Sequence, residues 1–304
     1  MLKIFSILLL FGLTACQTSQ KPAASSKPIV LVSIAPYAYF IEQIAKERVA
    51  IELLVPYSAD PHTYEPNPKQ VKTAYEAKLW VRIGDPFEEK ILKILEKQSS
   101  SPLTLQMWEE LPLLHLKADE HAHCEHGHHQ HGGEEAQDRH VWLSAKLAKI
   151  QAARIEKALS ELLPEESAFF KKNLTIFLEK LEHLDQEMAT LLSPLKGRAL
   201  LVSHPAFGYF CQDYNLVQLA IEDEGKEALP QKIATTLKEA GSLQARCVIT
   251  QGQYSTKAAE LVAKKLRLPI FQIDPYARDY FENLHKLARI LAEADTEQNV
   301  SQRH

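Results

Sequence analysis

From Ile29 onward, short apolar runs alternate along the chain with stretches of helical spacing. Ile29 to Ser33, Ile51 to Val55 and Leu79 to Ile83 read as buried parallel strands, because they are compact, rich in β-branched residues and bounded by polar turns. The pattern returns after Lys196, where strands are predicted at Ala199 to Ser203, Val217 to Ile221, Val248 to Thr250 and Ile270 to Ile273. Helical stretches lie between the runs. One starts at Asn67-Pro68 and runs to about Ala77, since Asn caps a helix and Pro suits its first turn. Strands alternating with helices predict two α/β lobes.

Between the lobes, Ser144 to Leu192 contains no glycine and is interrupted only by Pro164. Leu, Ile, Ala and Phe recur there at helical spacing, which predicts two helices. The second, from about Glu165 to Leu192, would be about 40 Å long at ~1.5 Å per residue, a stiff connection rather than a hinge. The expected organisation is an N-terminal α/β lobe over 28–163, a linking helix over 164–194 and a C-terminal α/β lobe over 195–304. Ligands in such arrangements bind at the carboxyl ends of the strands, here facing a cleft between the lobes.

The first residues change the picture of where the chain works. Lys3 is followed by an apolar run from Ile4 to Phe11, interrupted only by Ser6, and then by Leu13-Thr14-Ala15-Cys16. A charged start, an apolar stretch too short to span a bilayer and small residues before a cleavage point predict a signal peptide over 1–15 and export. Leu-Thr-Ala-Cys resembles a bacterial lipobox, which makes Cys16 the expected lipidation site and 16–27, with its Ser, Lys, Pro and Ala, a membrane tether. The remaining cysteines are Cys124, Cys211 and Cys247. Cys211 and Cys247 are open to two readings, a disulfide or two small buried apolar residues. A formal net charge of -4 gives no reason to expect nucleic acid.

The candidate chemistry lies in the histidines, 13 in number. Those at His115, His121, His123, His126, His128, His129 and His131 crowd a glutamate- and glycine-rich stretch over 115–133 that has no apolar periodicity. It is predicted to be a surface loop that binds zinc, copper or nickel with modest selectivity. A second, sparse population sits beside strand ends or turns: His62 in Asp60-Pro-His-Thr-Tyr-Glu-Pro66, His140 in Asp138-Arg-His-Val-Trp-Leu143, and His204 in Ser203-His-Pro-Ala-Phe-Gly-Tyr-Phe210. Asp274 in Ile273-Asp-Pro-Tyr276 joins them as a candidate carboxylate. Three imidazoles and a carboxylate suit tetrahedral zinc, but tens of residues separate them, so spacing alone does not unite them.

These four segments together resemble the solute-binding receptors of metal-importing ABC transporters, the cluster 9 or A-I family, and within it the zinc branch. The resemblance covers about Ile29 to Ala294. It implies two α/β lobes joined by a rigid helix, one metal in the interlobe cleft held by His62, His140, His204 and Asp274, Zn2+ as transported solute, no catalysis, and a monomer that serves an ABC permease and its ATPase. Manganese receptors of the family carry Glu at the third ligand position, where this chain has His204, and imidazole favours zinc over manganese. Two positions depart from the family pattern. Arg139 stands before His140 in place of Pro, and Pro205 follows His204 in place of Asp, which removes an acceptor for an imidazole N–H. A manganese or iron receptor, a zinc-dependent hydrolase and a surface adhesin or zinc buffer are the competing readings.

Overall fold

The computed structural model describes residues 27–57, 59–97, 101–115, 137–222 and 229–301, with side chains up to residue 296. The leader, Cys16, Cys124 and the loop histidines from His121 to His131 lie outside the described residues.

Two four-stranded parallel sheets organise the chain. In the first, β1 (Ile29–Val32), β2 (Ala50–Leu53), β3 (Leu79–Arg82) and β4 (Leu103–Gln106) take the order β2-β1-β3-β4. In the second, β5 (Ala199–Val202), β6 (Val217–Ala220), β7 (Val248–Thr250) and β8 (Ile270–Gln272) take the matching order β6-β5-β7-β8. The strands other than β4 stand where the apolar runs predict them. β4 escapes that reading because Leu103-Thr-Leu-Gln has two apolar residues in four, too few to register as an apolar run. In each sheet the order reverses direction beside the first strand of the lobe, creating a crevice at the carboxyl ends of β1 and β3 and again at those of β5 and β7.

Alternation along the central strands divides their apolar side chains among three clusters. Leu31 and Trp80 point away from the other lobe into a cluster with Ala74, Phe87, Ile91 and Leu95 from α2 (Pro68–Glu76) and α3 (Pro86–Leu95). Leu201 and Val248 do the same in the second lobe, against α7 (Pro230–Ser242) and α8 (Lys257–Leu266). The intervening residues Val30, Val32, Leu79, Val81, Leu200, Val202 and Ile249 all enter a single central cluster that runs through both lobes. Its other walls are α1 (Ala35–Ala45), α4 (Ala145–Leu162), α5 (Ser167–Leu192), α6 (Gly208–Tyr214) and α9 (Tyr280–Ser301).

The helices start where local chemistry dictates. Asn67 Oδ1 accepts from Gln70 N at 3.1 Å and Gln70 Oε1 from Asn67 N at 2.9 Å, a reciprocal capping box ahead of Pro68. Ser144 Oγ accepts from Leu147 N at 3.0 Å and opens α4. A turn at Pro164–Glu166 separates α4 from the 26-residue α5, about 39 Å long by helical rise. Phe170, Phe177, Leu181, Leu184, Met188 and Leu192 form its buried stripe. Cys211 and Cys247 are free, buried thiols inside the central cluster, so of the two readings the apolar one holds. Burial pushes both thiol pKa values up. Among the described residues no helix is long and apolar enough to cross a membrane.

Candidate metal centre

Strand ends deliver the sparse histidines to one point. His204 follows β5 by two residues and is fully buried. Its backbone N–H donates to Gln251 Oε1 at 3.1 Å and its carbonyl accepts from Gln251 Nε2 at 3.0 Å, which ties the turn after β5 to the turn after β7. His62 lies beyond β2 in a single 3-10 turn, Pro61–Thr63, opened by Asp60, whose Oδ1 accepts from His62 N at 3.0 Å. His140 reaches the cleft from the chain that leaves β4, again through an aspartate turn, with Asp138 Oδ1 accepting from His140 N at 2.8 Å. The ring centroids are 5.6 Å apart for His62 and His140, 5.2 Å for His62 and His204, and 5.4 Å for His140 and His204.

One ring nitrogen from each histidine lies within 4.8 Å of the others. A cation at the centre of such a triangle sits at most about 2.8 Å from each nitrogen, so small ring movements produce zinc bonds of ~2.0 to 2.1 Å. Two imidazoles are oriented by buried carboxylates: His140 Nδ1 contacts Asp138 Oδ1 at 2.8 Å, and His62 Nδ1 contacts Asp85 Oδ1 at 3.1 Å. These contacts reserve the Nε2 atoms for the centre, the arrangement expected of metal-bound histidine. Asp85 stands at the N-cap of α3 but makes no capping bond, its carboxylate being turned to His62 instead. His140 Nε2 and both ring nitrogens of His204 are buried without a hydrogen-bond partner among the described residues, a costly arrangement that a metal would relieve.

The electrostatics favour a neutral third ligand. Burial, helped by the neighbouring His140 and His62 rings, pushes the His204 pKa down to about 2. Among the described residues no carboxylate orients His204; its ring stacks on Tyr254 at 4.1 Å and 14°. Pro205, the next residue, has no side-chain acceptor to offer the imidazole. The other departure is absorbed elsewhere, since Arg139 swings its guanidinium over the Trp108 ring at 4.8 Å.

The structure brings His62, His140 and His204 together and leaves Asp274 and His115, the other candidates among the described residues, outside the cluster. Asp274 sits beyond β8 with Oδ1 accepting from Gln253 Nε2 at 2.8 Å and from Tyr276 N at 2.9 Å. Burial raises its pKa. His115 is exposed, paired by an antiparallel bridge to Gln137.

Sequence reading missed Asp85, Gln251 and Tyr254, none of which lies in the four matched segments. A signal did exist, because each follows a predicted strand at the cleft-facing end. Gly208 has a defined purpose: a Cβ there would fall 2.7 Å from Asp138 Oδ2, so glycine lets α6 approach the carboxylate that holds His140. Across the cleft, Tyr254 OH donates to Asp60 Oδ1 at 3.1 Å and Trp142 Nε1 donates to the Pro275 carbonyl at 2.8 Å.

This chain is similar to known proteins in sequence and in fold. The family described as ZnuA, zinc-uptake complex component A, periplasmic, matches residues 30–294. The chain belongs to this family. Its members are metal-binding solute-binding proteins of ABC importers and not enzymes, which sets aside the hydrolase reading. A Chlamydia trachomatis protein that bears a metal-binding name is 30% identical over 291 residues, covering 95% of this chain and 98% of that protein. The zinc-binding lipoprotein AdcA of Streptococcus pneumoniae is 32% identical over 222 residues, 72% of this chain and 43% of the longer AdcA. A crystal structure of ZnuA superposes with a TM-score of 0.77 at 35% identity, covering 88% of this chain and 99% of that one.

Proposed function

We propose that this protein is the extracytoplasmic receptor that captures zinc(II) at His62, His140 and His204 and hands it to an ABC permease and its ATPase. The observation that carries the reading is the convergence of three ring nitrogens, two of them aimed by buried aspartates, in a cleft between two α/β lobes. An all-nitrogen triangle selects zinc over manganese, which prefers oxygen. Asp274 is the proposed fourth ligand: its Oδ1 is held by Gln253 and Tyr276, which leaves Oδ2 to turn toward the ion. The proposal keeps the leader, a lipid on Cys16 and a single-chain receptor held at the membrane, with the histidine-rich stretch over 115–133 as a collector of lower selectivity. The three lobe and linker spans predicted from the sequence are retained as its domain boundaries.

Calorimetric titration with zinc and manganese tests it on four chains: the parent, His204→Ala, His204→Glu and a chain lacking 120–133. The parent and the loop deletion are expected to keep one tight zinc, with fewer weak sites in the deletion. His204→Ala should weaken the tight event at least a hundredfold, beyond the 10 to 100-fold typical of losing an outer partner. His204→Glu should shift preference toward manganese. Loss of the tight event on loop deletion, with His204→Ala unchanged, would refute the cleft assignment.

A further inference from the structure

Outside the cleft, two further imidazoles approach one carboxylate where α5 packs against α9, without the mutual closeness of the cleft triangle. His183 and Glu187 are one helical turn apart on α5 and therefore share a face. His285 reaches the same carboxylate from α9. His183 Nδ1 lies 3.3 Å from Glu187 Oε1, and His285 Nε2 lies 2.6 Å from Glu187 Oε2. The trio lines a surface cavity together with Gln186, Thr190 and Leu191. We infer that His183, Glu187 and His285 form a second zinc site, weaker and more open than the cleft, that clamps α5 to α9.

The argument is geometric and chemical. Two imidazoles and a carboxylate are a donor set that zinc takes with a water in the remaining position. Ligands of a tetrahedral zinc stand about 3.4 Å apart when its bonds are ~2.1 Å. The His183 to Glu187 separation already has that value, and the His285 to Glu187 separation has to open by less than about 1 Å. The two rings flank opposite oxygens of Glu187, so one must swing inward. His183 is the ring that can, because its side chain is 71% exposed, whereas His285 is 28% exposed and serves as the fixed anchor. Without metal, the same contacts are two half-exposed ion pairs, too weak to explain why two helices present both imidazoles to one carboxylate. The partial exposure and the required ring movement make this site weaker than the cleft, in the micromolar range, and quick to exchange.

The test follows imidazole nitrogens directly. Long-range proton–nitrogen spectra of the full-length chain are recorded during a zinc titration, with the resonances of the loop histidines assigned separately. After the first equivalent has filled the cleft, the His183 and His285 nitrogens are expected to shift together at micromolar free zinc. Glu187→Gln should abolish both shifts. His285→Gln should lower the number of micromolar zinc equivalents by one while leaving the tight event intact, and His183→Gln, a change on an exposed surface, should do the same. Resonances of His183 and His285 that stay still up to millimolar zinc, or shifts that survive Glu187→Gln, would overturn the assignment.

Discussion

Acid should cost the metal-free protein stability through one buried imidazole, and the size of the effect follows from the cleft. His204 is fully buried and its pKa is held down to about 2, against an ordinary histidine value of ~6.5 in the unfolded chain. Below pH 6.5 the unfolded chain takes up a proton at this ring and the folded chain does not, so folding weakens as pH falls. Above pH 6.5 both states are neutral and the term vanishes. Each pH unit between the two pKa values costs about 1.4 kcal/mol, so at pH 5.0 the folded state is disfavoured by about 2 kcal/mol through His204. Urea unfolding of the metal-free parent and of His204→Gln, measured at pH 7.5 and 5.0, isolates the term. The stability difference between the two chains is expected to move by about 2 kcal/mol in favour of the variant on acidification. Parallel profiles would show that His204 titrates normally and that its environment has been misjudged. The same ring predicts the proton count of zinc binding. Because His204 is already neutral, its ligation releases no proton between pH 5.0 and 7.5. The slope of log Kd against pH should therefore stay below three protons per zinc.

Three further substitutions address the supports of the site. Asp138→Asn should lower zinc affinity 10 to 100-fold by loosening His140, and Gly208→Ala should act in the same direction by pushing a methyl against Asp138 Oδ2. Competition with a chelator measures both, and unchanged affinity in both would mean that Asp138 does not orient His140. Tyr254→Phe keeps the ring stacked on His204 but removes the hydrogen bond to Asp60 across the cleft. Zinc should leave this variant several-fold faster in stopped-flow release, and an unaltered rate would refute a closing role for Tyr254.

Much of the architecture was legible because the four central strands leave compact apolar runs, and the edge strands β2, β6 and β8 keep enough apolar residues to be read with them. β4 could not, since only Leu103 and Leu105 of its four residues are apolar. The three histidines were legible as candidates through their turn residues, but their union depends on two sheets facing each other, a fact with no local signature. The orienting aspartates divide in the same way. Asp138 lies two residues from the histidine it holds and appears within the same motif. Asp85 lies 23 residues from His62 and looks like an ordinary N-cap ahead of Pro86. Only the missing capping bond reveals its other task. Arg139 shows the converse, a departure beside a ligand whose guanidinium is turned onto the Trp108 ring.

The central apolar cluster that threads both lobes bears on how fast cargo can be exchanged. Swinging the lobes apart as rigid halves would wet part of that cluster, and every 100 Å² of apolar surface so exposed costs about 2.5 kcal/mol. A wide gape is therefore a rare excursion for this molecule, loaded or empty. Exchange of an ion at the triangle then calls for small displacements of the turns that roof it, those around His62 and Tyr254, joined across the cleft by single hydrogen bonds from Tyr254 OH to Asp60 Oδ1 and from Gln253 Nε2 to the Tyr57 carbonyl. Such displacements lower the exit barrier and leave the bulk of the fold undisturbed.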